Sequence, residues 1–176
     1  SINALAASTL WAEALRFFEE QRGALVCDLP LYGAAIMACE RGHQWQQALN
    51  YLTESKRSTR RRSLVLENSV LSAIGKSSQT LRAIEMLRGM SNSALEPDQT
   101  SFNTVLAACD REEQVWGVLE MMRTRRLDPD IVTFGTAMDV LCRSGSTEAP
   151  QLLLQQMRDS GIEGNEFVYN SAIDAA

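Results

Sequence analysis

The sequence predicts an all-α protein, a right-handed α-solenoid built from stacked helical hairpins. Three observations lead to this prediction: a short motif recurs along the chain, apolar residues follow each copy at helical spacing, and most copies lie 35 residues apart. A unit of this length cannot bury a hydrophobic face alone, so neighbouring units must stack into a continuous core.

The motif is clearest at residues 95–104 (Leu-Glu-Pro-Asp-Gln-Thr-Ser-Phe-Asn-Thr) and 127–136 (Leu-Asp-Pro-Asp-Ile-Val-Thr-Phe-Gly-Thr). Its proline stops one helix and holds the preceding residue in an extended conformation, which marks a boundary between repeats. Alignment on these boundaries gives a partial, irregular repeat at 1–28, repeats at 29–63, 64–98 and 131–165, a shortened repeat at 99–130, and the start of a truncated repeat at 166–176.

The first helix of each repeat is predicted from apolar residues at i, i+3, i+4 and i+7, which form one buried helix face. In one repeat Glu67 takes the place of the aromatic residue that starts this column, and we expect weaker packing there. The predicted buried columns are Tyr32, Ala35, Ile36 and Cys39; Val70, Leu71 and Ile74; Phe102, Val105, Leu106 and Cys109; Phe134, Ala137, Met138 and Leu141; and Tyr169, Ala172, Ile173 and Ala176.

A turn and a second helix complete each repeat. In two repeats the turn contains Gly42 or Gly145, where glycine would form a left-handed helix terminus. Pro150 falls at the start of a second helix. A backbone N–H at that position would make no hydrogen bond within the helix, so proline is tolerated there. The shortened repeat is expected to have lost three residues from its turn, between residues 108 and 115. The second helices are predicted to end near Met90, Met122 and Met157.

Composition gives no indication of catalysis or of a metal site. The hydrophobic fraction of 45% and the charged fraction of 22% are those of an ordered protein, and no apolar run approaches the roughly 20 residues of a membrane span. The four cysteines show no CxxC spacing and His43 is the single histidine, so we expect no zinc site. Cys39 and Cys109 fall in apolar columns, where thiols are inert. We therefore expect no enzyme activity and no cofactor.

The net charge of −5 conceals local basic clusters. Local charge, rather than net charge, attracts phosphate. Charges in a loop between repeats are also common without any ligand, so a solvated loop is the alternative interpretation. The candidate phosphate contacts are Lys56, Arg57, Arg60, Arg61 and Arg62, and a second basic group consists of Arg123, Arg125 and Arg126.

Residues 95–104 and 127–136 resemble the pentatricopeptide repeat family, and the resemblance extends over nearly the whole chain. The tetratricopeptide repeat, of about 34 residues, is the near alternative, but its Trp…Leu-Gly…Tyr pattern is absent. The resemblance implies single-stranded RNA as a ligand. Each repeat would address one unstacked base, whose Watson–Crick edge is exposed to short polar side chains.

In the family, the residue just after the first-helix aromatic and the last residue of the repeat address the base. The resemblance therefore implies two base-reading pairs, Asn68 with Asp98 and Asn103 with Asp130, an Asn/Asp combination associated with uridine and less strongly with cytidine. The other positions of the same kind are weaker, because two of them are glycines without a side chain: Gly33, Ser63, Gly135, Asn165 and Asn170.

Residues that sandwich the base lie three positions before the first base-reading residue in this family. Apolar side chains are the most suitable platforms, and proline and threonine are weaker ones. The corresponding residues here are Pro30, Val65, Thr100, Val132 and Phe167.

The resemblance implies sequence-selective binding of single-stranded RNA in the RNA metabolism of mitochondria or chloroplasts. The glycines at two base-reading positions leave a second interpretation open, in which the chain is a scaffold subunit of a larger organellar assembly with other proteins as partners. The chain begins at Ser1 without a basic, apolar leader, so any targeting segment has been removed or was never included.

Overall fold

The computed structural model describes residues 2–22, 28–91, 95–164, 166 and 168–170. Within these residues the secondary structure is α-helical, with no strand, and the predicted all-α class is confirmed. The chain forms two compact units, residues 1–96 and 97–176.

The described residues of the N-terminal unit form five helices, α1 (Ile2–Arg22), α2 (Leu29–Arg41), α3 (Trp45–Thr59), α4 (Leu64–Lys76) and α5 (Thr80–Ser91). Successive helices pack as hairpins, and α2 also packs against α4, so that the first helices of neighbouring repeats lie side by side. This arrangement is the stacking that short repeats require to bury their apolar faces.

The C-terminal unit contains α6 (Gln99–Ala107), α7 (Glu112–Thr124), α8 (Ile131–Arg143) and α9 (Ala149–Asp159). Helix α6 packs against both α7 and α8, and α8 packs against α7 and α9. Pro150 lies in the first turn of α9, as predicted, where it leaves no backbone hydrogen bond unmade.

The predicted buried columns form the core of both units. Their members at α2, α4, α6 and α8 are at most 3% exposed. Tyr32, Phe102 and Phe134 begin three of these columns and are among the largest fully buried side chains. Helical spacing alone identified these residues, because every i, i+3, i+4 set on a helix shares one face.

The structure differs from the prediction in the shortened repeat and at Tyr169, and part of the last predicted column lies outside the described residues. The shortened repeat has lost residues from its first helix, since α6 has 9 residues where α2, α4 and α8 have 13, and the turn at 108–111 is retained. Tyr169 is 37% exposed, with its ring against the backbone of Gly164. The rest of that column, Ala172, Ile173 and Ala176, lies outside the described residues.

The turn at Gly42 also differs from the prediction. Gly42 has a φ of −87°, and the left-handed residue is His43, with a φ of 55°. Gly42 is required instead by close approach, because a Cβ there would lie 2.6 Å from Cδ2 of the Trp11 indole. Gly145 has the predicted left-handed conformation, with a φ of 75°.

Among the described helices, none combines the length and the apolar character that spanning a membrane requires.

Two cysteines are buried in the core and should resist chemical modification. Burial raises the pKa of the Cys39 thiol to about 11, and burial together with the Asp110 carboxylate raises the pKa of the Cys109 thiol to about 12. Thiolate is the reactive form. At neutral pH we expect a maleimide reagent to label the half-buried Cys142 before Cys39 and Cys109, as measured by mass spectrometry of peptides. Fast labelling of all three thiols in the folded chain would contradict this expectation.

Candidate nucleic-acid interface

The carboxylates at the ends of two predicted repeats are helix caps. Asp98 precedes α6 and its Oδ1 accepts a hydrogen bond from the Ser101 backbone N–H at 2.8 Å. Asp130 precedes α8 and accepts from the Thr133 N–H in the same way, also at 2.8 Å. Each carboxylate satisfies a backbone donor that the helix leaves unpaired. Both predicted base-reading carboxylates are therefore held in place by the helix that follows them.

Asn103 is joined to Asp130 through the Thr133 side chain. Thr133 Oγ1 lies 2.8 Å from Asn103 Oδ1 and 2.8 Å from Asp130 Oδ1. Asn103 and Asp130 are half-buried, whereas Thr133 is fully buried. The structure thus brings together the two members of one predicted base-reading pair and adds a third residue that the sequence analysis did not single out. A hydroxyl residue three positions after the aspartate was the available signal, since the same spacing joins Asp98 to Ser101.

The predicted base-reading residues of the N-terminal unit lie near the starts of α2 and α4. Asn68 is a half-buried residue of α4, and Ser63 precedes that helix without capping it through its side chain. Gly33 lies in α2, where an added Cβ would be 3.4 Å from Leu66 Cδ2. A methyl group at residue 33 would therefore be in van der Waals contact with the Leu66 side chain.

The remaining weaker positions lie in the C-terminal unit. Gly135 is a half-buried residue of α8, and Asn170 is exposed. Asn165 lies outside the described residues.

The predicted base-sandwiching residues are largely exposed to solvent. Val65 is 74% exposed and Val132 is 57% exposed, high values for branched apolar side chains. Pro30 and Thr100 are also exposed, while the predicted platform Phe167 lies outside the described residues. An exposed apolar side chain next to a polar residue is the arrangement in which an unstacked base can be covered on its face.

The basic cluster at residues 56–62 divides into two parts. Glu67 is 1% exposed and its Oε1 lies 3.0 Å from Lys56 Nζ and 2.7 Å from Arg62 Nη2. Arg62 Nε donates to the same oxygen at 3.1 Å. Two of the five predicted phosphate contacts are thus paired with a buried carboxylate, and the other three, Arg57, Arg60 and Arg61, are exposed.

The second basic group is not one exposed patch. Arg123 donates to the Gln156 side chain at 3.0 Å. The Arg125 guanidinium lies over the Phe102 ring, 5.4 Å from its centroid, and its buried Nη1 has no hydrogen-bond partner among the described residues. Arg126 is exposed and has a left-handed backbone, with a φ of 58°.

In the part of the chain that the structure describes, no three His, Cys, Asp or Glu side chains are placed to hold a metal ion.

The sequence model of the pentatricopeptide repeat matches residues 132–162, which include most of α8 and all of α9. A chloroplastic pentatricopeptide repeat-containing protein of Arabidopsis thaliana is 32% identical over 97 residues, which are 53% of this chain and 15% of that protein. The chain is similar to proteins of the pentatricopeptide repeat family. A mitochondrial member from the same plant is 27% identical over 117 residues, 65% of this chain and 18% of that protein.

Solved structures of pentatricopeptide repeat proteins share the fold of this chain. The crystal structure of the pentatricopeptide repeat protein PPR10 from maize superposes with a TM-score of 0.79 at 25% identity, over 98% of this chain and 26% of that one. PPR10 in complex with an 18-nt psaJ RNA element superposes with a TM-score of 0.70 at 27% identity, over 84% and 22% of the two chains. The α-solenoid class is thereby confirmed, and the chain spans about a quarter of the PPR10 chain.

Proposed function

We propose that this chain binds single-stranded RNA and reads bases in it, as part of organellar RNA metabolism. The observation that carries the proposal is the linked pair of Asn103 and Asp130, two half-buried polar side chains, with the exposed Val132 two residues after Asp130 in the sequence. Support also comes from the likeness to PPR10, whose structure contains RNA. Asn68 and Asp98 occupy the same positions of their repeat as Asn103 and Asp130 do, and we extend the proposal to them.

The repeat boundaries are part of this proposal. Helices α2, α4, α6 and α8 begin at Leu29, Leu64, Gln99 and Ile131, the first residues of the four complete repeats that the motif defines. Relatives named as chloroplastic and mitochondrial support an organellar location. We propose no catalytic step for this segment.

The test compares oligouridine with oligoadenosine by fluorescence anisotropy, for the wild type and for an Asn103→Ala, Asp130→Asn variant. Asparagine at 130 keeps the capping oxygen, whereas alanine would cost about 1 kcal/mol of helix stability. We expect the ratio of oligouridine to oligoadenosine affinity to fall roughly fivefold in the variant, because one hydrogen bond contributes about that factor. Thr104→Ala is the control, because within the described part of the chain the Thr104 hydroxyl bonds only to the backbone oxygen of Thr100 in its own helix, at 2.7 Å.

A scaffold role is the second candidate, favoured by the glycines at two base-reading positions. Gly33 and Gly135 have no side chain to offer a base. This alternative predicts equal and weak binding to both oligonucleotides by the wild type and the variant. That result would overturn the proposal of base reading.

A further inference from the structure

We propose that Thr133 is a positioning residue for base reading, whose buried hydroxyl lies against both Asn103 and Asp130 and fixes the orientation of the Asn103 amide. The inference rests on the proposed function. Thr133 follows the pair in sequence and its side chain is fully buried, so it would not touch a base itself. Its effect would be exerted through the two side chains that it holds.

The geometry of the link leaves one atom of each partner for a ligand. Oγ1 of Thr133 lies 2.8 Å from Asn103 Oδ1, and this contact does not involve the amide nitrogen of Asn103, which is left for a base. Both contacts of Thr133 to Asp130 use Oδ1, so Oδ2 takes no part in them. The hydroxyl has a single proton, and the Asp130 oxygen keeps the backbone N–H of Thr133 whichever way that proton points.

An amide side chain without such a partner has two nearly equal orientations, because its oxygen and nitrogen ends have almost the same shape. One orientation offers a base a donor and the other offers it an acceptor. A hydrogen bond to one end selects between them. Loss of the Thr133 hydroxyl should therefore reduce discrimination between bases more than it reduces general affinity for RNA.

The hydroxyl is not needed for the helix cap. Asp28 caps α2 through the backbone N–H of Leu31 at 3.1 Å, although leucine has no hydroxyl. A hydroxyl residue follows the aspartates of both predicted Asn/Asp pairs, with Ser101 Oγ 2.8 Å from Asp98 Oδ1 and Thr133 in the second pair. Leu66 takes this place after Ser63. Capping and positioning can thus be separated by a substitution that removes only the hydroxyl.

The experiment uses Thr133→Val, which keeps the shape and removes the hydroxyl, and Thr133→Ser, which restores it. Thr136→Val is the matched control, since among the described residues the Thr136 hydroxyl bonds only to the Val132 backbone oxygen of α8, at 2.8 Å. We expect Thr133→Val to lower the ratio of oligouridine to oligoadenosine affinity about fivefold, the value of one hydrogen bond. Thr133→Ser and Thr136→Val should retain the wild-type ratio, and the salt dependence should not change.

A second measurement is independent of RNA. In the free chain, the side-chain amide resonances of Asn103 should shift in Thr133→Val and stay in place in Thr136→Val. Unchanged resonances would overturn the link, and shifted resonances with an unchanged base ratio would overturn its role in reading. If the wild type bound no RNA, the proposed function would fail and the reading role with it, while the resonances would still report whether Thr133 holds Asn103.

Discussion

Replacing Lys56 and Arg62 together by alanine is expected to destabilise the N-terminal unit by about 3 kcal/mol, because the substitution strands a buried carboxylate. Glu67 is 1% exposed and its Oε1 accepts from both cations, at 3.0 Å and 2.7 Å. Its second oxygen, Oε2, is buried without a hydrogen-bond partner among the described residues. Among the described residues, only these two cations therefore offset the cost of burying the Glu67 carboxylate.

Glu67→Leu should rescue the double variant. A leucine at this position removes the charge and resembles Tyr32, Phe102 and Phe134, which begin the same column in the other repeats. Replacing a buried ion pair by apolar side chains is often neutral or stabilising. The triple variant is expected to regain most of the loss, and a triple variant no more stable than the double would contradict the argument.

The measurement is urea denaturation followed by tryptophan fluorescence. Trp11 and Trp45 lie in the N-terminal unit, whereas Trp116 lies in the C-terminal unit. Replacing Trp116 by phenylalanine leaves a signal that reports the first unit, where the substitutions are. Arg57→Ala with Arg61→Ala is the charge-matched control, and surface changes of this kind usually stay within about 0.5 kcal/mol.

The sequence predicted the helices and their buried faces because those depend on local order along the chain. Tyr32, Ile36 and Cys39 share a face at helical spacing whatever surrounds them. Asp130 as a helix cap also follows from local sequence, since a carboxylate three residues before a backbone N–H is the usual capping geometry.

Other features depend on contacts that spacing does not encode. The sequence showed Glu67 as a polar residue in an apolar column but did not indicate that Lys56, on another helix, would neutralise it. The constraint on Gly42 comes from Trp11, which precedes it by 31 residues. The link of Thr133 to Asn103 joins two helices of neighbouring repeats. Each of these requires the packing of helices against one another to be known.

Replacing Arg57, Arg60 and Arg61 by glutamine is expected to weaken binding to every single-stranded RNA alike. All three arginines are exposed, and their side chains form no hydrogen bond or ion pair with the described residues. Glutamine is a long polar side chain like arginine. At residue 60, where the backbone is left-handed with a φ of 51°, it is no more strained than arginine. The substitution therefore tests charge rather than conformation.

The expected size follows from counterion release. Each phosphate contact on a single strand contributes about 0.7 to the slope of log affinity against log salt, so three contacts contribute about two. Their loss should lower affinity on the order of a hundredfold at ~0.1 M salt and very little at ~1 M salt. The ratio of oligouridine to oligoadenosine affinity should stay unchanged, because phosphate contacts carry no base information.

The control makes the same change in net charge at scattered positions, with Arg41, Arg88 and Arg158 replaced by glutamine. These arginines are exposed and lie near the ends of α2, α5 and α9. If phosphate is bound at residues 57–61, the control should retain most of the salt slope. An equal loss in both variants would mean that RNA responds to net charge alone, and Arg57, Arg60 and Arg61 would then be no more than a solvated surface.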